Sequence, residues 1–237
     1  MNIPVNVFTT PRLIIRRARS EDADFLYHLW HDPRVMTNVG YPDGLPITRD
    51  QIEAQIARHG ASVYDKYLIV TLRAGGEPIG ECKLGSPELQ GIATTDVKLA
   101  PEFWGQRYGV EVKQGLLDYL FTHAPVLAVE ADPARTNPAS IRMQEAVGGL
   151  RVREFDSSFN HHYVYRAHRF DWQRLKNGQP AAPEPLRSLL AELLPDLVPG
   201  SQALALAGSF ARGCENGFSD LDLYRFVDGP VDEPHRY

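Results

Sequence analysis

Apolar positions along the first three-quarters of the chain switch repeatedly between a period of two and a period near 3.6, which marks alternating strands and helices. The pattern predicts a strand over 13–17 and a helix over 21–31 with Ser20 or Asp22 near its cap. A loop over 42–46 precedes a helix that Thr48 caps and that runs to about Arg58. Two strands, 67–73 and 78–84, form a hairpin around Gly75-Gly76, and a third strand covers 92–99. Val112, Leu116, Leu117, Leu120 and Phe121 then recur at helical spacing up to about His123. A strand over 126–131 and a helix over 137–147, stopped by Gly148-Gly149, come next. Antiparallel strands over 152–155 and 162–169 close the unit; the second is aromatic and β-branched, as half-buried strands are.

Composition shifts after this point. Asn177-Gly178-Gln179-Pro180-Ala181-Ala182-Pro183-Glu184-Pro185 reads as a stiffened linker. The leucines 186, 189, 190, 193, 194 and 197 follow at helical spacing, a stripe that a disordered tail would not carry. That stripe should dock on the first unit or on a second copy of the chain, as in a homodimer. The expected organisation is a domain over 1–175, a linker over 176–185 and a further segment over 186–237.

The 237 residues, 43% of them hydrophobic, suffice for a substantial core. A net charge of −5 argues against nucleic-acid binding through a broad basic face. Cys82 and Cys214 form no C-x-x-C pair, so neither a disulfide framework nor a zinc site is indicated, and Cys82 reads as a buried apolar residue. No apolar run approaches about 18 residues and no leader pattern opens the chain, so a cytoplasmic protein without a membrane partner is expected.

The candidate chemistry centres on Trp104-Gly105-Gln106-Arg107-Tyr108-Gly109-Val110-Glu111, where a strand passes through a glycine-bearing turn into a helix. The first turn of a helix has unpaired N–H groups and partial positive charge, so it holds phosphate without lysine. Glycine lets a ligand approach the backbone closely. A cofactor with a pyrophosphate is therefore expected.

Three further stretches extend this reading: Pro11-Arg12-Leu13-Ile14-Ile15-Arg16, Leu99-Ala100-Pro101-Glu102-Phe103-Trp104-Gly105, and Asn137-Pro138-Ala139-Ser140-Ile141-Arg142-Met143-Gln144-Glu145 ahead of Gly148-Gly149. In that order and spacing the chain, over about residues 8–175, resembles the GNAT acetyltransferase superfamily, on the side of the ribosomal-protein N-acetyltransferases. The resemblance implies an α/β (α+β) fold: a mixed central sheet flanked by helices, binding acetyl-CoA where two neighbouring parallel strands splay. It puts the CoA pyrophosphate over Gln106, Arg107, Tyr108, Gly109 and Val110. Arg107 stands at the family's first glycine position, where a helical φ would accommodate arginine and its guanidinium would add a phosphate contact. Backbone groups of Val97, Lys98 and Leu99 would hold the pantetheine arm like an added strand, with Asn137 as a further donor.

Acetyl transfer needs a neutral amine near the thioester and a proton for the departing thiolate. Lysine ammonium has a pKa of about 10.4 and a protein α-amine about 7.7–8, so the latter needs little help from a base, and proximity supplies much of the rate. Related enzymes carry a tyrosine acid seven residues after the asparagine; Gln144 occupies that place and cannot serve. Ser140 is the candidate proton donor. Asp96, Glu154 and the pair His161-His162 are candidates for the base, and the histidine pair also reads as an ordinary surface feature.

Residues 203–223 carry a second motif, Ala203-Leu204-Ala205-Leu206-Ala207-Gly208-Ser209 and later Asp220-Leu221-Asp222-Leu223. They resemble the start of a polymerase-β-type nucleotidyltransferase domain, a small truncated αβ segment. Asp220 and Asp222 alternate on a strand, so both carboxylates face one side and can share Mg²⁺, weakly in the absence of a convincing third carboxylate. The expected function is transfer of acetyl from acetyl-CoA to a primary amine, on a peptide or a small molecule. A nucleotidyltransferase working through Gly208-Ser209, Asp220 and Asp222, and a non-catalytic acyl-CoA-binding protein, are the alternatives.

Overall fold

The computed structural model describes residues 6–58, 62–88, 91–178, 203–207 and 222–226, and for the last two segments the backbone alone. Eight strands form one sheet: β1 (Asn6–Thr9), β2 (Leu13–Arg17), β3 (Leu68–Leu72), β4 (Pro78–Leu84), β5 (Ile92–Leu99), β6 (Ala128–Ala131), β7 (Leu150–Asp156) and β8 (His161–His168). Their spatial order is β1-β2-β3-β4-β5-β6-β8-β7. Every neighbouring pair is antiparallel except β5–β6. A parallel pair needs a crossover, and α4 (Tyr108–His123) supplies it.

Strand alternation separates two cores. Leu68 and Val70 join Leu13, Ile15, Cys82 and Leu84 beneath α4, against Val112, Leu116, Leu117 and Leu120. Ile69, between them, faces the other way and packs under α1 (Ala23–His31) and α3 (Arg49–Ala57), with Leu26, Leu29, Trp30, Ile52 and Ile56. α3 starts where Thr48 predicts, with Thr48 and Gln51 in a reciprocal capping box. A one-turn helix α2 (Pro33–Met36), α5 (Pro138–Ala146) and α6 (Arg169–Lys176) complete the helices.

Several elements depart from the sequence reading. A 3-10 turn over Ser20–Asp22 precedes α1; Asp22 stands at the N-cap of α1 as expected, but its carboxylate is taken by Arg16 at 2.7 Å and by the Arg19 N–H at 2.8 Å and makes no cap bond to the helix. β1 was not expected, because four residues show too little alternation to register. β8 stops at His168, and α6 runs from the expected strand end at Arg169 through residues given no element to the start of the expected linker at Lys176. α6 is polar but for a few residues; Trp172 anchors it by burial and by donating to Asp118 at 2.9 Å. The leucine stripe over 186–197 lies outside the described residues. The segments Ala203–Ala207 (β9) and Asp222–Phe226 (β10) pair antiparallel as a second sheet.

Across the β6–β8 pair, buried Glu130 accepts two hydrogen bonds from Arg166 at 2.9 and 2.6 Å and a third from Arg153 at 3.2 Å. Removing one partner of a buried ion pair strands the other charge. Glu130→Ala should cost about 3–5 kcal/mol in urea unfolding, whereas Glu130→Leu combined with Arg166→Met should recover most of it. Equal loss in the single and double variants would show that the site depends on packing instead of charge.

Candidate active site

β5 and β6 are paired only from Ile92↔Ala128 to Thr94↔Glu130. β5 then continues to Leu99 while the chain leaves β6 at Ala131 and turns toward α5, so a gap opens between them. Gly85 N–H donates to the Thr94 carbonyl and Ala100 N–H to the Ile79 carbonyl. Because antiparallel bonding alternates, the main-chain groups of Thr95, Val97 and Leu99 turn away from β4 and toward this gap. Lys98, named with Val97 and Leu99 from the sequence, turns its main chain to β4 instead. The Leu99 carbonyl is already occupied by the Trp104 indole at 2.7 Å.

The gap leads to the start of α4. Gly105 has φ 76°, and Arg107, the residue before the helix, has φ 63° and ψ 14°. The expected helical φ at Arg107 is therefore wrong: the arginine sits in the left-handed region that favours glycine, with its side chain exposed. The backbone keeps a glycine's conformation although the side chain has changed. Helix geometry leaves the N–H groups of Tyr108, Gly109 and Val110 without intrahelical partners, while Glu111 N–H already bonds the Arg107 carbonyl at 3.2 Å.

A clamp fixes this turn. Arg12 Nε donates to Glu111 Oε2 at 2.6 Å, its Nη1 to the Gln106 carbonyl at 3.2 Å, and its guanidinium lies 4.3 Å from the Tyr108 ring centre. Glu111 Oε1 accepts from the Arg12 N–H at 2.8 Å and the Thr10 hydroxyl at 2.6 Å. Desolvation pushes the Glu111 carboxyl up, and these bonds with the guanidinium more than reverse it, so its pKa is lowered. The Pro11-Arg12-Leu13 motif thus sets the shape of a turn some hundred positions away in sequence.

Asn137 caps α5, its Oδ1 accepting the Ser140 N–H at 3.0 Å, which leaves its amide nitrogen as a donor. Ser140 is half-buried in that first turn. Gln144 is buried further along the same helix, near its C-terminal end.

The opposite face of the sheet carries charge. Lys98 bridges Asp96 and Glu81, and Glu81 also accepts from the Trp30 indole at 2.9 Å. Desolvation opposes ionisation of both partners; the Lys98 ammonium still holds Asp96 below the ordinary carboxylate range, and the two carboxylates hold Lys98 protonated. The second oxygen of Glu81 is buried with no partner among the described residues. Beside this network a cleft of about 220 Å³ is lined by Thr94, Glu130, Asp132, Arg153, Phe155 and Val164. Burial pushes the Asp132 carboxyl up, and Asp96 adds to the effect. Glu154 lies between Arg153 and Phe155 on β7, so alternation turns it away from the cleft; it sits 3.6 Å from His161. The bond to Asp156 raises the His161 pKa. His162 stacks on Phe155 and bonds the Asp132 carbonyl at 2.9 Å. Glu81, Asp132 and Thr95 escape the sequence reading because only the register brings them here. Gly208, Ser209 and Asp220 lie outside the described residues.

A mixed sheet that opens beside an amide-bearing helix start, with the gap reaching a charged cleft, defines an N-acetyltransferase fold. Residues 12–149 match the Acetyltransferase (GNAT) domain, and the chain belongs to that family. It is 30% identical over 142 residues to an uncharacterized N-acetyltransferase p20 of Bacillus licheniformis, covering 56% of this chain and 76% of that protein. Spermidine N-acetyltransferase from Vibrio cholerae, solved with CoA and spermine, superposes with a TM-score of 0.59 at 18% identity, over 68% of this chain and 98% of that one. Aminoglycoside acetyltransferase AAC(6')-Ib, solved with coenzyme A, gives 0.58 at 18%, over 69% and 99%.

The left-handed Arg107 predicts a stabilising substitution. Relief of about 1–2 kcal/mol of backbone strain, less the roughly 0.5–1 kcal/mol that glycine loses in entropy, makes Arg107→Gly more stable by about 0.5–1 kcal/mol. A urea midpoint that falls instead would show that the arginine side chain holds the turn.

Proposed function

We propose that this N-acetyltransferase moves acetyl from acetyl-CoA to a primary amine, on a protein N-terminus or a small molecule, by direct attack of its neutral form in a ternary complex. The observation that carries this reading is the β5–β6 gap running from the amide-bearing turn to a cleft rich in carboxylates. Gln106, Arg107, Tyr108, Gly109 and Val110 would hold the pyrophosphate. The β5 edge at Val97, Lys98 and Leu99, together with Asn137, would hold the pantetheine arm, Lys98 through its neighbours because its own main chain serves β4. CoA in two fold relatives supports this choice of donor.

On the other side Asp132 and Asp96 draw the acceptor cation to the cleft. Asp96 shares the face of Thr94 and is the best placed of the proposed bases; Glu154, turned from the cleft, acts on the reaction only through His161. Ser140 offers its hydroxyl to the departing sulfur. Within the family we place the chain near the ribosomal-protein branch, on Asn137 and Ser140, and in the cytoplasm, where its donor is made. Docking of the leucine stripe over 186–197 on the acetyltransferase unit or on a second chain, as in a homodimer, belongs to the same reading.

Calorimetry with acetyl-CoA tests it. Wild type should bind; Gly109→Pro, which deletes one donor, and Arg12→Ala, which frees the turn, should each weaken binding about tenfold, equivalent to about 1.4 kcal/mol. No heat from wild type at millimolar ligand would end the proposal. Turnover over a panel of peptides, polyamines and aminoglycosides identifies the acceptor, and binding without turnover would favour an acyl-CoA sensor.

The antiparallel pairing Asp222↔Ala207 supports a second reading for the C-terminal segment. It sets Asp222 beside the strand that leads into Gly208-Ser209, as a nucleotidyltransferase start with weak Mg²⁺ binding at Asp220 and Asp222 requires. Incorporation of label from NTP should be absent if that segment is catalytically incomplete; Mg²⁺-dependent incorporation that Asp220→Asn abolishes would make it a second enzyme.

A further inference from the structure

Lys113 is the largest fully buried side chain among the described residues, 1% exposed, on α4 one turn beyond Gly109. Its Nζ donates to the Thr95 hydroxyl and has no other hydrogen bond among the described residues. Thr95 is itself buried and is the first β5 residue past the last β5–β6 pair, so it stands at the closed end of the gap. An ammonium carries three donors, and here one acceptor meets them. The neighbours on this face of α4, Val112, Leu116 and Leu117, are apolar, and an apolar side chain would be the stable choice at 113.

We propose that Lys113, acting through the Thr95 hydroxyl, holds the proton that the departing CoA sulfur takes up. The inference rests on the acetyl-CoA reading above. Gln144 is not an acid, and the Ser140 hydroxyl, an alcohol like that of Thr95, has no ammonium bonded to it among the described residues to replace a proton it gives up. In the step, the acceptor amine, which has released its ammonium proton to solvent before attack, bonds through its neutral nitrogen to the thioester carbonyl carbon, the C–S bond breaks and its electron pair leaves on sulfur. Thr95 passes its proton to the sulfur and takes one from Lys113, while the proton shed by the new amide nitrogen goes to Asp96. Solvent restores Lys113 and Asp96 once products leave. Lys113 touches neither substrate; it is a positioning residue that acts through Thr95.

The surroundings of Lys113 suit this role. Burial lowers its pKa to about 7, and Asp96, reached through β5, is the ionised group whose charge opposes that shift. β4 contributes the Cys82 thiol, which burial pushes well up. β1 offers nothing ionisable, and on α5 the charged residues Arg142 and Glu145 are exposed. An acid poised near the working pH is the efficient one.

Lys113→Met is the test. A folded pKa below the unfolded value of about 10.4 means the unfolded chain binds more protons between the two, so wild-type stability rises with pH across that window. The variant should therefore have the higher urea midpoint at pH 6, and its advantage should shrink toward pH 10. Its acetyl-CoA affinity should match wild type, its kcat should fall about a hundredfold, and the falling limb of the wild-type kcat profile above pH 7 should vanish. Wild-type kcat and pH profile in the variant would overturn the proposal, as would parallel stability curves, which would mean that Lys113 keeps an ordinary lysine's proton. Should Lys113→Met not fold, Thr95→Val must lose the limb and Thr95→Ser keep it; identical profiles overturn the proposal. Absence of acetyl-CoA binding by wild type would fault the underlying functional reading instead.

Discussion

The parallel pairing of β5 with β6 ends at Thr94 and Glu130, and the geometry of the site follows from that short pairing. A parallel neighbour forces a crossover helix, and α4 returns the chain across the face that carries the larger core. The same crossover leaves the first turn of α4 at the mouth of the gap that the parting strands create. The Thr95 carbonyl and the Val97 main chain, which a longer β6 would satisfy, are thereby left facing the gap. The sheet is thus incomplete along the far half of β5.

Charge is distributed around this gap with a consistent logic. On the open face, Lys98 ties Asp96 to Glu81, and Arg166 with Arg153 ties up Glu130. These networks pair the carboxylates at the edge of the cleft with cations, so that no buried charge is left alone, which would be costly. On the covered face stands a single buried amine, Lys113, with one hydroxyl for company. One face of the sheet is thus neutralised by ion pairs and the other holds an under-satisfied amine.

Two residues cost stability where simpler choices exist. Arg107 occupies a left-handed backbone position, and Lys113 occupies an apolar helix face. The rest of the turn is overdetermined by the Arg12–Glu111 clamp, so the strained backbone is held in place. Arg107 keeps the turn's shape while adding a cation at its rim.

The sequence by itself determined much of the plan. Periodicity fixes the type of a helix or strand because a buried face recurs with the element's own repeat, and β3, β4, β5 and α4 fall close to where it places them. Glycine and N-cap chemistry are local, so the turn at 104–111 and the Thr48 cap were legible. Short elements without a full period, β1 and α6, were not. The clamp from Arg12 to Glu111, the turning of Glu154 from the cleft and the meeting of Lys113 with Thr95 depend on register and on contacts between distant segments. One residue of slip along β5 would exchange Asp96 for Thr95 at the gap. Only the tertiary structure decides that, because side-chain direction on a strand is set by its neighbours and not by the strand.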